Sequence, residues 1–130
     1  MGKNYSSGKV VYETSAHFCR SDGLFNQLVD KRIDIVISNF NIGAPLAFYN
    51  LKGPFFKLIN INKLKQIPNP EKLGMQKCAF VFYNMLNADP VSENYFLSRF
   101  SKIKSTLDNL GYYLDDSFDS RFLVYSNFQS

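Results

Sequence analysis

The most reactive pair of side chains lies near the start of the sequence, where His17 stands two positions before Cys19. Residues two apart share one face of a strand, so this thiol and imidazole could act as nucleophile and general base. Such a pair needs a third group to orient the imidazole ring, and the sequence identifies none. We therefore predict no catalytic residues. A small enzyme of unrecognised type is kept as an alternative.

Metal and phosphate chemistry also lacks support. A zinc site needs more soft ligands than one histidine and the isolated Cys19 and Cys78. The acidic group Asp115, Asp116 and Asp119 offers oxygen ligands, but it lacks the spacing of a calcium loop and a glycine at the sharp turn. Neither G-x-G-x-x-G nor G-x-x-x-x-G-K-[ST] occurs. We expect no bound metal and no cofactor.

Aromatic and basic residues point to binding instead. The 130 residues include 13 Phe and 8 Tyr but no Trp, and the formal net charge is +4. Positive charge is concentrated between Lys52 and Lys104, which favours an anionic partner such as a phosphate backbone or an acidic lipid surface. Rings at a surface are favoured at interfaces and stack on bases. A Phe-rich core explains the same composition, so both interpretations stay open.

The connection NIGAPLAFYNLKGPFF is apolar where a surface connection should be polar. If it is exposed, residues 42–56 present an apolar anchor beside lysines, the composition of interaction hot spots. If Pro45 begins a short helix, the same side chains pack on the sheet. The predicted partner-binding residues are Phe48, Tyr49, Lys52, Phe55 and Lys57. The predicted basic face consists of Lys63, Lys65, Arg99, Lys102 and Lys104.

These features lead to one main hypothesis of function and two alternatives. The main hypothesis is a non-catalytic interaction or regulatory domain that binds a protein partner through the apolar and aromatic residues 42–56 and their flanking lysines. The first alternative is a nucleic-acid-binding protein that combines the basic face with exposed aromatic rings. The second is the small enzyme named above. The sequence leaves the oligomeric state open.

The N-terminal hexamer MGKNYS fits the pattern for N-myristoylation at Gly2. One acyl chain gives only marginal membrane binding, so the basic residues would have to supply a second signal. We expect peripheral membrane contact only if Gly2 is acylated. The sequence has no secretory h-region, no apolar run of membrane-spanning length and no paired cysteine motif, which predicts an intracellular, cytoplasmic protein.

The elements that position these residues are predicted to form one domain. Residues 1–8 are expected to be a flexible N-terminal tail, and residues 9–130 a single globular α/β domain. The predicted order is strand, helix, strand, strand, strand, helix, strand, with helices from Ser21 to Arg32 and from Asp89 or Ser92 to Gly111. The run KCAFVFYNML is apolar on both alternating faces, which predicts a central strand. The expected fold is an α+β or α/β sandwich of two or three layers, with about five strands in a mixed sheet and two main helices.

Two short stretches resemble known families. IDIVISNF resembles the phosphoacceptor strand of bacterial response-regulator receivers, with Asn39 where that family has its phosphorylated Asp. With FFKLININK included, residues 33–63 resemble the later strands of the phosphotransferase-system B-type domains found in some transcriptional regulators. Those enzymes phosphorylate a Cys in a loop after their first strand, and this chain has no matching glycine-rich Cys loop. We assign the chain to neither family.

Overall fold

The computed structural model describes residues 21–85 and 89–128. These residues form a five-stranded mixed sheet with helices on both faces. The predicted strand KVVYET and the candidate residues Gly2, His17 and Cys19 lie outside the described residues. The predictions that rest on them, acylation and a Cys/His pair, therefore stay predictions.

The strands follow the order β2-β1-β3-β5-β4 across the sheet. β1 runs parallel to both β2 and β3, whereas β5 is antiparallel to β3 and β4. The mixed sheet and the central position of β3 confirm the prediction from the apolar run around Phe80. The strands are β1 (Ile35–Ser38), β2 (Lys57–Asn60), β3 (Cys78–Tyr83), β4 (Tyr113–Leu114) and β5 (Phe122–Ser126).

Two apolar clusters, one on each face of the sheet, form the core. Helices α1 (residues 21–30) and α2 (Phe40–Asn50) contribute to the first cluster, together with residues such as Val81 of β3. Helix α4 (Pro90–Leu110) contributes to the second cluster. The connection between β2 and β3 also contributes to it, and this connection contains a 3-10 turn (Ile61–Lys63) and the short helix α3 (Pro70–Leu73). The fold is therefore α+β, as predicted, with three layers.

Helix α4 begins and ends where its sequence signals predict. The Asp89 side chain accepts a hydrogen bond from the Ser92 N–H at 3.0 Å, and Pro90 occupies the first turn, where no N–H is needed. Gly111 ends the helix in the left-handed conformation, with φ of 97°. Its apolar stripe faces the sheet, with Phe100 and Leu107 buried.

Helix α2 begins earlier than the sequence analysis proposed. Asn39 is the N-cap, and its side chain accepts a hydrogen bond from the Ile42 N–H at 3.1 Å. Pro45 lies inside the helix instead of starting it. Strand β4, with two residues, and the four-residue helix α3 were not predicted, because neither is long enough to show a periodic pattern.

Candidate protein-interaction surface

Helix α2 is apolar on its outer side as well as its inner side. Its 11 residues, FNIGAPLAFYN, include no charged side chain. Ile42 and Leu46 are fully buried on the inner side. On the outer side Phe40 is 69% exposed and Phe48 is 47% exposed, and Leu51 just beyond the helix is 81% exposed. A surface helix normally places polar residues outward, so this face has the composition of an interface.

The exposed rings rest on a cluster of buried ones. The ring centroid of Phe25, a buried residue of α1, lies 5.4 Å from that of Tyr49 and 5.7 Å from that of Phe55. Phe48 meets Tyr49 edge to face at 5.6 Å. We call the exposed residues Phe48, Leu51 and Phe55, with the half-buried Tyr49 beneath them, the aromatic patch. Packing against Phe25 holds the rings of Tyr49 and Phe55 in place, and Phe48 packs on Tyr49 in turn.

Asn50 fixes the loop that carries Phe55. Its side-chain Nδ2 donates to the Phe56 carbonyl at 2.8 Å, and its Oδ1 accepts from the Phe55 N–H at 2.8 Å. The Phe56 ring is buried in the core, so the loop is held both by the hydrogen bonds of Asn50 and by the packing of this ring. A surface held in this way loses little conformational entropy when it binds.

The structure divides the predicted apolar connection between core and surface. Ile42, Leu46 and Phe56 are buried, whereas Phe48 and Phe55 are about half exposed. The five predicted partner-binding residues lie at the carboxyl end of α2, in the segment that leads into β2, or at the start of β2 itself. Lys52 and Lys57 are exposed, and Lys57 is the first residue of β2. Binding by these residues remains a prediction.

The predicted basic face spans several elements. Lys63 and Lys65 are exposed at the carboxyl end of β2, and the other three residues lie on α4. At 3.6 residues per turn, Arg99 and Lys104 stand on opposite flanks of the buried stripe of α4. Arg99 lies over the Tyr95 ring at 4.8 Å, and Lys104 Nζ lies 2.6 Å from Asp108 Oδ2. The third α4 residue of the predicted face, Lys102, is exposed.

A cleft of about 220 Å³ opens between α2 and the carboxyl ends of β1 and β2. It is mostly apolar. Its lining residues are Ser38, Asn39, Phe40, Gly43, Ala44, Ala47, Leu58, Ile59 and Asn60. Two polar side chains of the cleft already make hydrogen bonds within the protein. The Ser38 hydroxyl donates to the Asn39 carbonyl, and the Asn39 side chain caps α2. Sequence reasoning missed this cleft because it did not identify Asn39 as the start of a helix.

The described residues hold no evident reactive group. Cys78 is fully buried, and burial raises the pKa of its thiol to about 12, far from a reactive thiolate. Within residues 21–85 and 89–128 no three His, Cys, Asp or Glu side chains gather as a metal site would require. Asp119 is paired with Arg121, whose hydrogen bond lowers the pKa of that carboxyl. Asp115 accepts from the Ser117 N–H at 3.0 Å, so the acidic turn organises its own backbone.

No protein-family model, curated protein or solved structure matches this chain. In the described part of the chain, no helix has both the length and the apolar character needed to cross a membrane. The function therefore has to be inferred from the fold and its surface.

Proposed function

We propose that this protein is a non-catalytic interaction domain that binds another protein through the aromatic patch. One observation carries the proposal: helix α2 has no charged residue and leaves Phe48 exposed beside the exposed Leu51 and Phe55, although only its inner side is needed to cover the sheet. Fully burying an exposed apolar side chain contributes about 1.5–3 kcal/mol, and Leu51, which is 81% exposed, has most of that still to gain. A few such anchors supply most of the affinity of a typical interface.

The kind of partner follows from the immediate surroundings of the patch. Exposed rings and a leucine dominate it, and Lys52 and Lys57 stand at its rim. A nucleic-acid interface would instead require many cations along a backbone track, because phosphate contacts dominate that affinity. Two of the predicted basic residues, Arg99 and Lys104, already contact Tyr95 and Asp108 on α4, away from the patch. These features favour a protein partner.

The proposal is tested by recovering the full chain from the cells that produce it, with its bound molecules, and comparing two double variants. Phe48→Ala with Phe55→Ala removes the patch rings, whereas Met75→Ala with Val91→Ala removes two other highly exposed apolar side chains. We expect the first variant to lose a specific bound protein and the second to keep it. The first variant also loses the ring contacts with Phe25 and Tyr49, so its thermal midpoint should fall by a few degrees while it still unfolds cooperatively.

Salt dependence separates the alternatives in the same experiment. An apolar protein interface should hold as salt rises, whereas a nucleic-acid complex should weaken steeply. Retention of the same partner by both variants would contradict the proposal. So would recovery of nucleic acid alone, released by moderate salt.

A further inference from the structure

Among the described residues, no strand pairs with the outer edge of β2. β2 is the terminal strand of the sheet order and pairs with β1 alone among the described residues. The Lys57 N–H donates to the Asp34 carbonyl at 2.8 Å, which sets the alternation along this parallel pair. The amides of Lys57 and Ile59 then face β1, and those of Leu58 and Asn60 face outward. Neither outward amide has a hydrogen-bond partner within the described residues.

The cleft described above lies beside this edge. Gly43, Ala44 and Ala47 form its α2 wall, and Leu58 belongs to its β2 wall. Gly43 permits the close approach of helix to strand, since a Cβ there would lie 3.2 Å from the Ser38 hydroxyl. The small side chains leave room for one apolar side chain from outside. An open strand edge with a neighbouring side-chain cleft is the arrangement that recognises extended peptides.

The chain segment that contains β2 carries charge of a single sign, and the acidic residue beside its start is Asp34, whose backbone carbonyl accepts from the Lys57 N–H. Between Asp34 and Glu71 the only charged residues are four lysines, and each of them is exposed. Lys52 and Lys57 lie near the start of β2, and Lys63 and Lys65 follow its end. Edge lysines repel a second edge of the same kind, which disfavours pairing between two copies of this chain. They attract carboxylates.

We propose that β2 takes up an extended, acidic segment of a partner protein as an added strand, with one apolar side chain of that segment in the cleft. This rests on the proposed function, because it specifies the chemistry and binding mode of the partner that the aromatic patch helps to hold. The backbone of β2 would supply affinity, and the cleft and lysines would supply specificity.

Asn60 offers a selective test of strand addition. Its φ of −75° suits proline, so Asn60→Pro removes one outward N–H without changing the backbone conformation. Asn60→Ala is the matched control: both variants lose the side chain that accepts from the Asn62 N–H, and only the alanine variant keeps the outward N–H. Equal thermal midpoints for the two variants would show that they are folded alike.

The probe is a set of random linear peptides displayed on phage and selected on the full chain. We expect the selected peptides to alternate apolar residues with Asp or Glu. Because both substitutions remove the Asn60 side chain from the cleft wall, the informative comparison is between them: Asn60→Pro should bind about tenfold more weakly than Asn60→Ala, the equivalent of one hydrogen bond. A second variant, Lys57→Glu with Lys63→Glu, should weaken the same peptides and lose the preference for acidic ones.

Several results would overturn strand addition. These are equal binding by the two Asn60 variants, selection of basic peptides, concentration-dependent dimers of the free chain, or slow hydrogen exchange at Leu58 and Asn60 before any peptide is added. The last would mean that the edge is already covered. If peptide binding is lost with Phe48→Ala and Phe55→Ala but not with Asn60→Pro, the proposed function stands and strand addition fails.

Discussion

Helices α2 and α4 cover opposite faces of one sheet, and they do so with different sequences. Helix α4 has 21 residues with an apolar stripe toward the sheet and charged residues such as Lys104 and Asp108 toward solvent. Helix α2 has 11 residues and no charge, and its exposed side carries Phe40 and Phe48. Helix α4 also exposes Val91, Tyr95 and Leu97, but it places charged side chains among them, whereas the exposed side of α2 has no charged side chain.

The comparison shows which residues the fold needs and which it leaves for binding. Leu46 on α2 and Leu107 on α4 are fully buried, so both helices cover the sheet in the same way. Phe40 of α2 and Leu51 just beyond the helix are mostly exposed, so they contribute little to that packing. Variants on the two helices should therefore behave alike at buried positions and differ at exposed ones.

The largest effects are expected at the inner positions. Leu46→Ala and Leu107→Ala each remove a fully buried side chain, so each should lower the free energy of unfolding by about 3 kcal/mol. Urea denaturation of the two variants measures this. A negligible effect of Leu46→Ala alone would mean that α2 does not pack on the sheet as α4 does.

A smaller difference is expected at the carboxyl ends of the helices. Gly111 ends α4 with φ of 97°, so Gly111→Ala forces a side chain into the left-handed region and should cost about 1 kcal/mol. The corresponding residue of α2, Leu51, has φ of −62°, so Leu51→Ala should cost much less. Denaturant midpoints compare the two, and equal losses would contradict the difference in cap geometry.

Acid should weaken the amino-terminal cap of α4 but not that of α2. Hydrogen bonds from Ser92 lower the pKa of Asp89 below its ordinary value, whereas Asn39 at the start of α2 does not titrate. The contribution of the Asp89 cap to the stability of the protein is therefore complete above the pKa that this carboxyl has in the unfolded state. It is lost as the pH falls through the lower pKa of the folded state. Hydrogen exchange below pH 4 should show the first turn of α4 weakening before that of α2. Asp89→Asn, which keeps a capping oxygen, should remove this pH dependence.

The smallest effect on stability is expected at the outer face of α2. Leu51→Lys should change the free energy of unfolding by no more than about 0.5 kcal/mol, because the side chain is exposed and makes few contacts to lose. Thermal and urea unfolding measure this. A loss comparable to that of Leu46→Ala would show that Leu51 belongs to the core and has no place in a binding patch.

The difference between the helices also explains what could be predicted from the sequence. The apolar stripe of α4 and the residues at its two ends predicted its position. The apolar residues on both alternating faces of the run KCAFVFYNML predicted the central strand β3. Helix α2 has apolar residues on every side, so it shows no helical periodicity, and Pro45 obscured its start. The cleft beside β2 is lined by residues from three elements, such as Ser38 of β1, Ala47 of α2 and Leu58 of β2, and only the packing of α2 beside the paired strands brings them together.

The most direct test places a photo-reactive amino acid at position 48 of the full chain, in the cells that produce it, and at position 91 as a control on the exposed face of α4. Binding through the aromatic patch predicts a discrete protein adduct at position 48 that is absent at position 91. The same adducts at both positions, or adducts to nucleic acid only, would contradict it.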